Sequence, residues 1–163
     1  MNEVSVGTIV CFVGYLVVSH ARFGMTKSIS ETWYRWMEHD FSSAFTIFSA
    51  TICAGAVLQS VYPYTHTTKL LLTLAGFFMF CVSIASTYKD PKVERLHYSF
   101  AILAIGLGFA AIFVEDAGRW CRWVPVPVLL ITTAAMRKWW PANITYKVEC
   151  VAFVEIFGRL LFV

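Results

Sequence analysis

The chain has 163 residues, of which 58% are hydrophobic and only 14% are charged. A soluble domain carries about 25% charged residues, and the apolar residues here stand in long blocks, comparable with the ~20 residues that cross a bilayer. The net charge of +3 is too small to indicate a nucleic-acid-binding surface. These features exclude a soluble all-α domain. They predict an all-α, polytopic transmembrane helix bundle of about six spans, forming a single domain over residues 1–163.

The first three apolar blocks predict spans one to three. They cover about residues 4–20, 42–61 and 68–86. Glu3 precedes the first block and no basic residue accompanies it, so we expect a retained helix rather than a cleaved secretory signal. Gly7 and Gly14 lie two helical turns apart on span one, where small residues let a second helix approach closely.

The longest polar stretch, residues 21–41, separates spans one and two. Ser30 is typical of a helix N-cap, and Glu31 suits the positive end of a helix dipole. Trp33 and Trp36, three residues apart, would lie on one face of that helix. The pattern predicts a short amphipathic helix at the membrane interface.

Spans four and six are predicted over about residues 96–114 and 144–162, with Pro91 in the first turn of the helix that forms span four. The segment between them, residues 124–136, would cover only about 20 Å of a hydrocarbon core about 30 Å thick. Tryptophans flank this segment on both sides, as at membrane interfaces. We therefore expect a short fifth span, and a re-entrant segment is the alternative.

The basic residues predict the orientation of the bundle. With six spans, loops one, three and five and the adjoining span ends hold nine of the 13 Lys and Arg residues, and the opposite side holds four. Lys and Arg accumulate on the cytoplasmic side of membrane proteins. We therefore expect these three loops in the cytoplasm and both termini outside, with the lipid bilayer as the surrounding partner.

Four residues form a candidate site at the cytoplasmic end of this topology: Ser30, Asp90, His97 and Glu149. Ionisable side chains at membrane depth are costly and often functional. A carboxylate can orient a histidine or share a metal with it, and a serine hydroxyl can act as a nucleophile. We expect His97 to face the interior, within direct or water-mediated hydrogen-bond reach of one of the other three. The alternative is that these residues are solvated at the headgroup level.

Glu155 lies near the middle of span six, where an isolated charge is costly. Arg159 follows it at i+4, the spacing at which opposite charges meet on a helix. The sequence therefore predicts a local ion pair that faces the bundle interior.

Three short motifs carry a resemblance to known proteins. They are Lys-Ser-Ile-Ser-Glu-Thr-Trp-Tyr at 27–34, then Tyr-Lys-Asp-Pro at 88–91 together with Val-Glu-Arg-Leu-His-Tyr-Ser-Phe-Ala at 93–101, and Tyr-Lys-Val-Glu-Cys-Val-Ala-Phe at 146–153. In this order they resemble a group of small six-span membrane proteins of Bacteroidetes, which implies a bacterial inner membrane. That group is distantly similar to the CREST superfamily of alkaline ceramidases, PAQR receptors and haemolysin III-like proteins.

The CREST resemblance implies a zinc-dependent amide hydrolase, in which a serine, an Asp–His pairing and a C-terminal His-x-x-x-His hold the metal. It assigns these roles to Ser30, Asp90 and His97. No histidine follows His97 in this chain, and Glu149 replaces one missing ligand at most. We therefore expect hydrogen bonding at this site rather than zinc, which needs at least three protein ligands for catalysis.

Two functions of different classes follow from these patterns. The first is a membrane protein that binds a lipid or small molecule at Ser30, Asp90, His97 and Glu149, including a degenerate CREST-like hydrolase. The second is a non-enzymatic channel or scaffold that works as a homo-oligomer. A pore needs a stripe of polar residues along its spans, and span two partly offers one. Its members are Ser43, Thr46, Ser49 and Thr51.

Overall fold

The computed structural model describes residues 3–39, 41, 43–85, 91–115 and 124–160. Within these residues the structure contains seven α-helices, one short 3₁₀ turn and no strand. The helices are α1 (Glu3–Phe23), α2 (Glu31–Met37), α3 (Ser43–Leu58), α4 (His66–Ala85), α5 (Pro91–Glu115), α6 (Pro125–Trp139) and α7 (Ile144–Leu160), and the 3₁₀ turn Gln59–Val61 extends α3. The all-α prediction is confirmed for the described part of the chain, and α5 begins at Pro91 as expected.

Four helical segments are long and apolar enough to cross a membrane. They are α1, residues 43–61, most of α4, and α5 from Arg95 onward. The helices α6 and α7 have 15 and 17 residues, so each is shorter than the ~20 residues of a typical span. The structure thus indicates a helical membrane protein with four clear candidate spans.

Large apolar side chains cover the outer faces of these segments. Val10, Leu70, Phe77 and Ile102 are between 56% and 71% exposed. Contiguous apolar surface of this extent is rare on proteins that face water. Contact with lipid removes the cost, and it explains why the outward faces are as apolar as the interior.

Five helices close into a ring. Around it, α1 packs against α3, α3 against α4, α4 against α5, α5 against α7, and α7 against α1. The sixth long helix, α6, packs against α7. Two hydrophobic clusters fill the ring, one containing Phe12, Phe45 and Phe48 and the other containing Leu72 and Phe157.

Close helix contacts in the ring use glycines other than the pair on α1. A Cβ at Gly55 of α3 would overlap the side chain of Thr8, and a Cβ at Gly108 would lie 2.8 Å from Ile156 Cδ1. By contrast, Gly7 and Gly14 have nothing within 4 Å of their Cβ positions. The expectation that they admit a second helix is therefore wrong within the described residues, because they face away from the ring.

Hydrogen bonds define the two ends of the ring. At the end that carries α2, the Tyr146 N–H donates to the Lys27 carbonyl at 3.0 Å. At the opposite end, which we call the Gln59 end, three bonds join the elements: Gln59 Nε2 to Ser5 Oγ at 2.9 Å, Tyr64 Oη to the Leu160 carbonyl at 3.4 Å, and the Thr65 N–H to Glu115 Oε2 at 3.1 Å. The chain therefore leaves α5 at the Gln59 end and enters α7 at the α2 end.

The short helix α2 is present over Glu31–Met37, as predicted, with Thr32 and Trp33 buried and Arg35 and Met37 exposed. Trp33 is only 9% exposed and packs with Phe12 and Ile29 in the core. The Glu31 N–H is accepted by Ser28 Oγ at 3.2 Å, whereas Ser30 makes no side-chain cap. Ser30 thus occupies the predicted N-cap position, but the capping hydrogen bond comes from the Ser28 side chain.

Candidate functional site

A cavity of about 120 Å³ lies at the centre of the ring. Side chains from all five ring helices line it, together with Ile29 and Ser30 from the segment before α2. Most of its wall is apolar, and it includes small residues such as Ala75 and Ala104. Close-packed interiors contain few voids of this size.

The polar residues of the wall gather toward the α2 end. They are Ser30, Ser49, Ser83, His97 and Glu149. His97 lies six residues into α5 and Glu149 five residues into α7, whereas Gly108 and Phe157 lie further along the same helices. From His97 to Gly108 the wall of α5 extends about 16 Å at 1.5 Å per residue. The cavity is thus elongated, with a polar end and an apolar remainder.

His97 is buried, with 7% of its surface exposed, and it forms part of the cavity wall. Its Nδ1 lies 3.1 Å from the Val82 carbonyl oxygen. A carbonyl only accepts, so Nδ1 donates and the neutral ring carries its lone pair on Nε2. Val82 is among the last four residues of α4, whose carbonyls lack partners inside the helix. His97 therefore joins α4 to α5 as well as lining the cavity.

Glu149 also lines the cavity, and its carboxylate holds the segment before α2 in place. Oε2 accepts the Ile29 N–H at 2.6 Å, across 120 positions of sequence. Two more bonds run alongside it, from the Tyr146 N–H to the Lys27 carbonyl and from Asn143 Nδ2 to the Met25 carbonyl, each 3.0 Å long. A carboxylate accepts about four hydrogen bonds. Glu149 therefore uses only part of its acceptor capacity in the bond to Ile29.

Ser30 reaches the cavity from the other side of this segment. Its Oγ lies 3.0 Å from Ser28 Oγ, and Ser28 itself is 7% exposed. Nucleophilic catalysis needs a direct hydrogen bond between the nucleophile and its base. Ser30 bonds a second hydroxyl here, and Nδ1 of His97 bonds a backbone carbonyl. The arrangement described is suited to binding a polar group more directly than to activating a serine.

Asp90, the fourth predicted site residue, lies outside the described residues. Among those that are described, no group of three or more His, Cys, Asp or Glu side chains could hold a metal ion. The cavity wall contributes one imidazole and one carboxylate, which is short of the three protein ligands of a catalytic zinc site. The described residues therefore do not fit a zinc centre, and no catalytic step is derived through one.

Sequence reasoning missed two hydroxyls and a backbone acceptor at this site. Ser49 and Ser83 line the cavity, and the Val82 carbonyl binds His97. A serine inside an apolar span was a usable signal for the first two, because such side chains usually turn inward. The sequence contains no such signal for the Val82 carbonyl, because every residue has a backbone carbonyl.

The hydroxyls of α3 do not form the stripe that a pore would need. Ser49 is buried and its Oγ donates to the Thr46 carbonyl, whereas Thr46 is exposed. Thr51 Oγ1 likewise donates to the Ile47 carbonyl of its own helix. Ser49 and Thr46 thus lie on different faces of α3, and the hydroxyls of Ser49 and Thr51 donate to backbone carbonyls of their own helix.

Arg159 attracts the Glu155 carboxylate electrostatically, as the sequence predicts, but the carboxylate makes no hydrogen bond among the described residues. Both of its carboxylate oxygens are buried without a hydrogen-bond partner among the described residues. Burial without a partner costs free energy for any polar group, and most for a charged one. Glu155 is therefore an exception to the otherwise well-satisfied polar groups of α7.

Comparison of the chain with family models, with curated proteins and with solved structures found no match. The similarity to the CREST superfamily and to small Bacteroidetes membrane proteins therefore stays a prediction based on the three motifs.

Proposed function

We propose that this protein is a six-span membrane protein that binds a lipid chain or a small apolar molecule in the central cavity. The observation that carries the proposal is that the polar residues of the cavity wall gather toward one end, whereas the rest of the wall is apolar; they are Ser30, Ser49, Ser83, His97 and Glu149. Ligand pockets commonly combine an apolar wall with a few polar groups that fix orientation. An apolar cavity of about 150 Å³ engineered into a soluble protein binds benzene, so a cavity of this size is adequate for part of a ligand.

The positions of the two ring ends support six spans. Glu115 at the end of α5 bonds Thr65 at the Gln59 end, and Tyr146 at the start of α7 bonds Lys27 at the α2 end. The chain between Glu115 and Tyr146 has to pass from one end to the other. A re-entrant segment returns to the side from which it started, so this connection favours a crossing by α6.

The orientation follows from the basic residues. The end of the ring that carries α2 receives the loops with nine of the 13 basic residues, and positive loops face the cytoplasm. On this basis the polar end of the cavity faces the cytoplasm, with both termini outside, in a bacterial inner membrane. A degenerate CREST-like hydrolytic activity remains a second proposal, which depends on Asp90.

Binding of a defined probe tests the proposal. In detergent, 1-decanol at about ten times its Kd is expected to raise the Tm of the protein by roughly 3–6 °C. Ala104 is 4% exposed and lines the cavity, so Ala104→Phe is expected to abolish this shift. Ala54→Phe, at an exposed position of α3, is the matched control and is expected to keep it. Equal Tm shifts in the native protein, Ala104→Phe and Ala54→Phe would show that 1-decanol acts through the micelle. This result would overturn the proposal.

A further inference from the structure

We infer that the cavity takes a small apolar molecule with one aromatic ring, in preference to a saturated hydrocarbon of the same size. The inference rests on the proposed function and specifies its ligand. It is carried by a connected aromatic surface along one side of the cavity and by the cavity volume.

Phenylalanine rings from three neighbouring helices of the ring, α7, α1 and α3, line one side of the cavity. They are Phe12, Phe45, Phe48, Phe153 and Phe157. Successive ring centroids lie 4.6 Å apart from Phe157 to Phe153, 3.6 Å from Phe153 to Phe12, 5.9 Å from Phe12 to Phe48 and 5.9 Å from Phe48 to Phe45. The five rings therefore form one connected surface, which we call the aromatic wall.

The other two helices of the ring, α4 and α5, contribute mostly aliphatic and small side chains. Leu72 and Ala75 come from α4, and Ala101 and Ala104 come from α5. The surface that the whole lining presents to the cavity is almost entirely apolar. A ligand in the cavity therefore contacts aromatic rings on one side and aliphatic groups on the other, and an apolar ligand suits both.

An aromatic ligand gains contacts with the aromatic wall that a saturated ligand does not. Ring pairs prefer offset-stacked or edge-to-face arrangements, and each such pair is worth roughly 2–12-fold in affinity beyond the burial of its surface. Phe153 stacks with both Phe12 and Phe157. Two rings cannot occupy one face at these distances, so both faces of Phe153 are covered and its edge is left for the ligand. This edge is electropositive and attracts the electronegative face of an aromatic ring.

The volume of the cavity limits the ligand to about one ring. The cavity measures about 120 Å³, whereas an engineered apolar cavity of about 150 Å³ holds benzene. Pockets for drug-sized ligands measure about 300–1,000 Å³. The ligand is therefore a single-ring molecule rather than a fused or multi-ring one.

Toluene and cyclohexane test the inference, because they have nearly the same molecular volume and only toluene is aromatic. Each is titrated against the full-length protein in detergent, in sealed capillaries, with the Tm as readout. The same titrations of Ala104→Phe, which fills the cavity, subtract effects of the micelle. We expect toluene to bind at least about fivefold more tightly than cyclohexane, as one or two favourable ring pairs would provide.

Leucine substitutions test the part played by the aromatic wall. Phe153→Leu and Phe48→Leu each remove one ring and keep an apolar side chain, so the preference for toluene is expected to fall to about twofold or less. Phe109→Leu is the matched control, since Phe109 packs against the core but is not part of the cavity lining, and it is expected to keep the preference. The two wall variants lie on different helices, so the test stands when one of them fails to fold.

The outcomes distinguish the ligand class from the proposed function. If cyclohexane binds as tightly as toluene, or only 1-decanol gives a shift that Ala104→Phe removes, the aromatic inference is wrong while ligand binding in the cavity stands. If none of the three compounds gives such a shift, the proposed function itself fails. If Phe153→Leu and Phe48→Leu both keep the full preference for toluene, the aromatic wall does not contact the ligand and the inference is overturned.

Discussion

Glu149 accepts a 2.6 Å hydrogen bond from the Ile29 N–H and thereby joins α7 to the segment that covers the polar end of the cavity. The same carboxylate lines the cavity, so one side chain both shapes the site and holds part of its wall. This double role distinguishes Glu149 from Glu155, whose oxygens have no hydrogen-bond partner among the described residues.

Removing the Glu149 carboxylate is expected to destabilise the protein. Glu149→Ala leaves the buried Ile29 N–H without its acceptor, which costs about 1–3 kcal/mol. Glu149→Gln retains an acceptor oxygen and is expected to cost less than half as much. Thermal melting in detergent measures both, at roughly 2–4 °C per kcal/mol for a chain of this size.

The matched control for Glu149 is an exposed glutamate. Glu38 lies 3.7 Å from Arg35, and its side chain is 58% exposed, so Glu38→Ala is expected to change stability by less than about 1 kcal/mol. If Glu149→Ala melts at the same temperature as Glu38→Ala, the bond to Ile29 contributes nothing to stability.

The His97 ring is expected to be the Nδ1–H tautomer. Nδ1 donates to the Val82 carbonyl, which leaves the lone pair of the neutral ring on Nε2. Nitrogen-15 NMR of histidine-labelled protein distinguishes the two ring nitrogens, and His97→Gln assigns the signal. His20, His39 and His66 are exposed and serve as internal references. A neutral His97 protonated on Nε2 would contradict the bond to Val82.

The helices could be predicted closely because their signals are local. Apolar blocks ended by charges and prolines placed the helix ends within a few residues, and Pro91 begins α5 as its fixed φ favours. The gathering of Ser30, His97 and Glu149 at one cavity was also foreseeable. Successive spans run in opposite directions. Polar residues near the end of one span and near the start of the next therefore lie at the same end of the bundle.

Contacts that depend on the rotation of a helix about its axis could not be predicted in this way. The sequence does not distinguish Gly55 from Gly7 and Gly14, since all three are glycines in apolar spans. Of the three, only Gly55 faces a neighbouring side chain in the structure. Ser30 is the N-cap residue of α2, yet the Glu31 N–H is accepted by the Ser28 side chain, and Glu31 Oε2 accepts the Lys27 N–H at 2.6 Å. His97 Nδ1 donates its hydrogen bond to a backbone carbonyl. Such an acceptor cannot be predicted from residue type, because every residue has one.

Substitution of Gly55 tests the close approach of α1 and α3. Gly55→Ala places a methyl group against the side chain of Thr8, and overpacking of this kind costs about 1–3 kcal/mol. Combining it with Thr8→Ala removes the crowded atoms and is expected to recover part of the loss. Gly14→Ala meets open space, so it is expected to be neutral or to stabilise α1 by up to about 1 kcal/mol. Equal melting temperatures for Gly55→Ala and Gly14→Ala would contradict the packing.

Labelling with a membrane-impermeant maleimide tests the six-span topology. In a background without the five native cysteines, Met25→Cys, Thr67→Cys and Ala142→Cys all occupy exposed positions. We expect Met25→Cys and Ala142→Cys to react from the cytoplasmic side and Thr67→Cys from the outside. Reaction of Ala142→Cys from the same side as Thr67→Cys would show that α6 does not cross the membrane.

The native Glu155 side chain is expected to lower the stability of the folded protein relative to an apolar side chain of similar size. Its two oxygens are buried without hydrogen-bond partners among the described residues, and an unsatisfied buried group costs about 1–3 kcal/mol or more. Glu155→Leu keeps a side chain of similar size and removes the polar atoms, so it is expected to raise the Tm, and Glu155→Gln is expected to lie between Leu and the native residue. A double-mutant cycle with Arg159→Leu separates this effect from an ion pair. If Glu155→Leu lowers the Tm, and the loss shrinks when Arg159 is also Leu, then the i+4 pair predicted from the sequence contributes to stability after all.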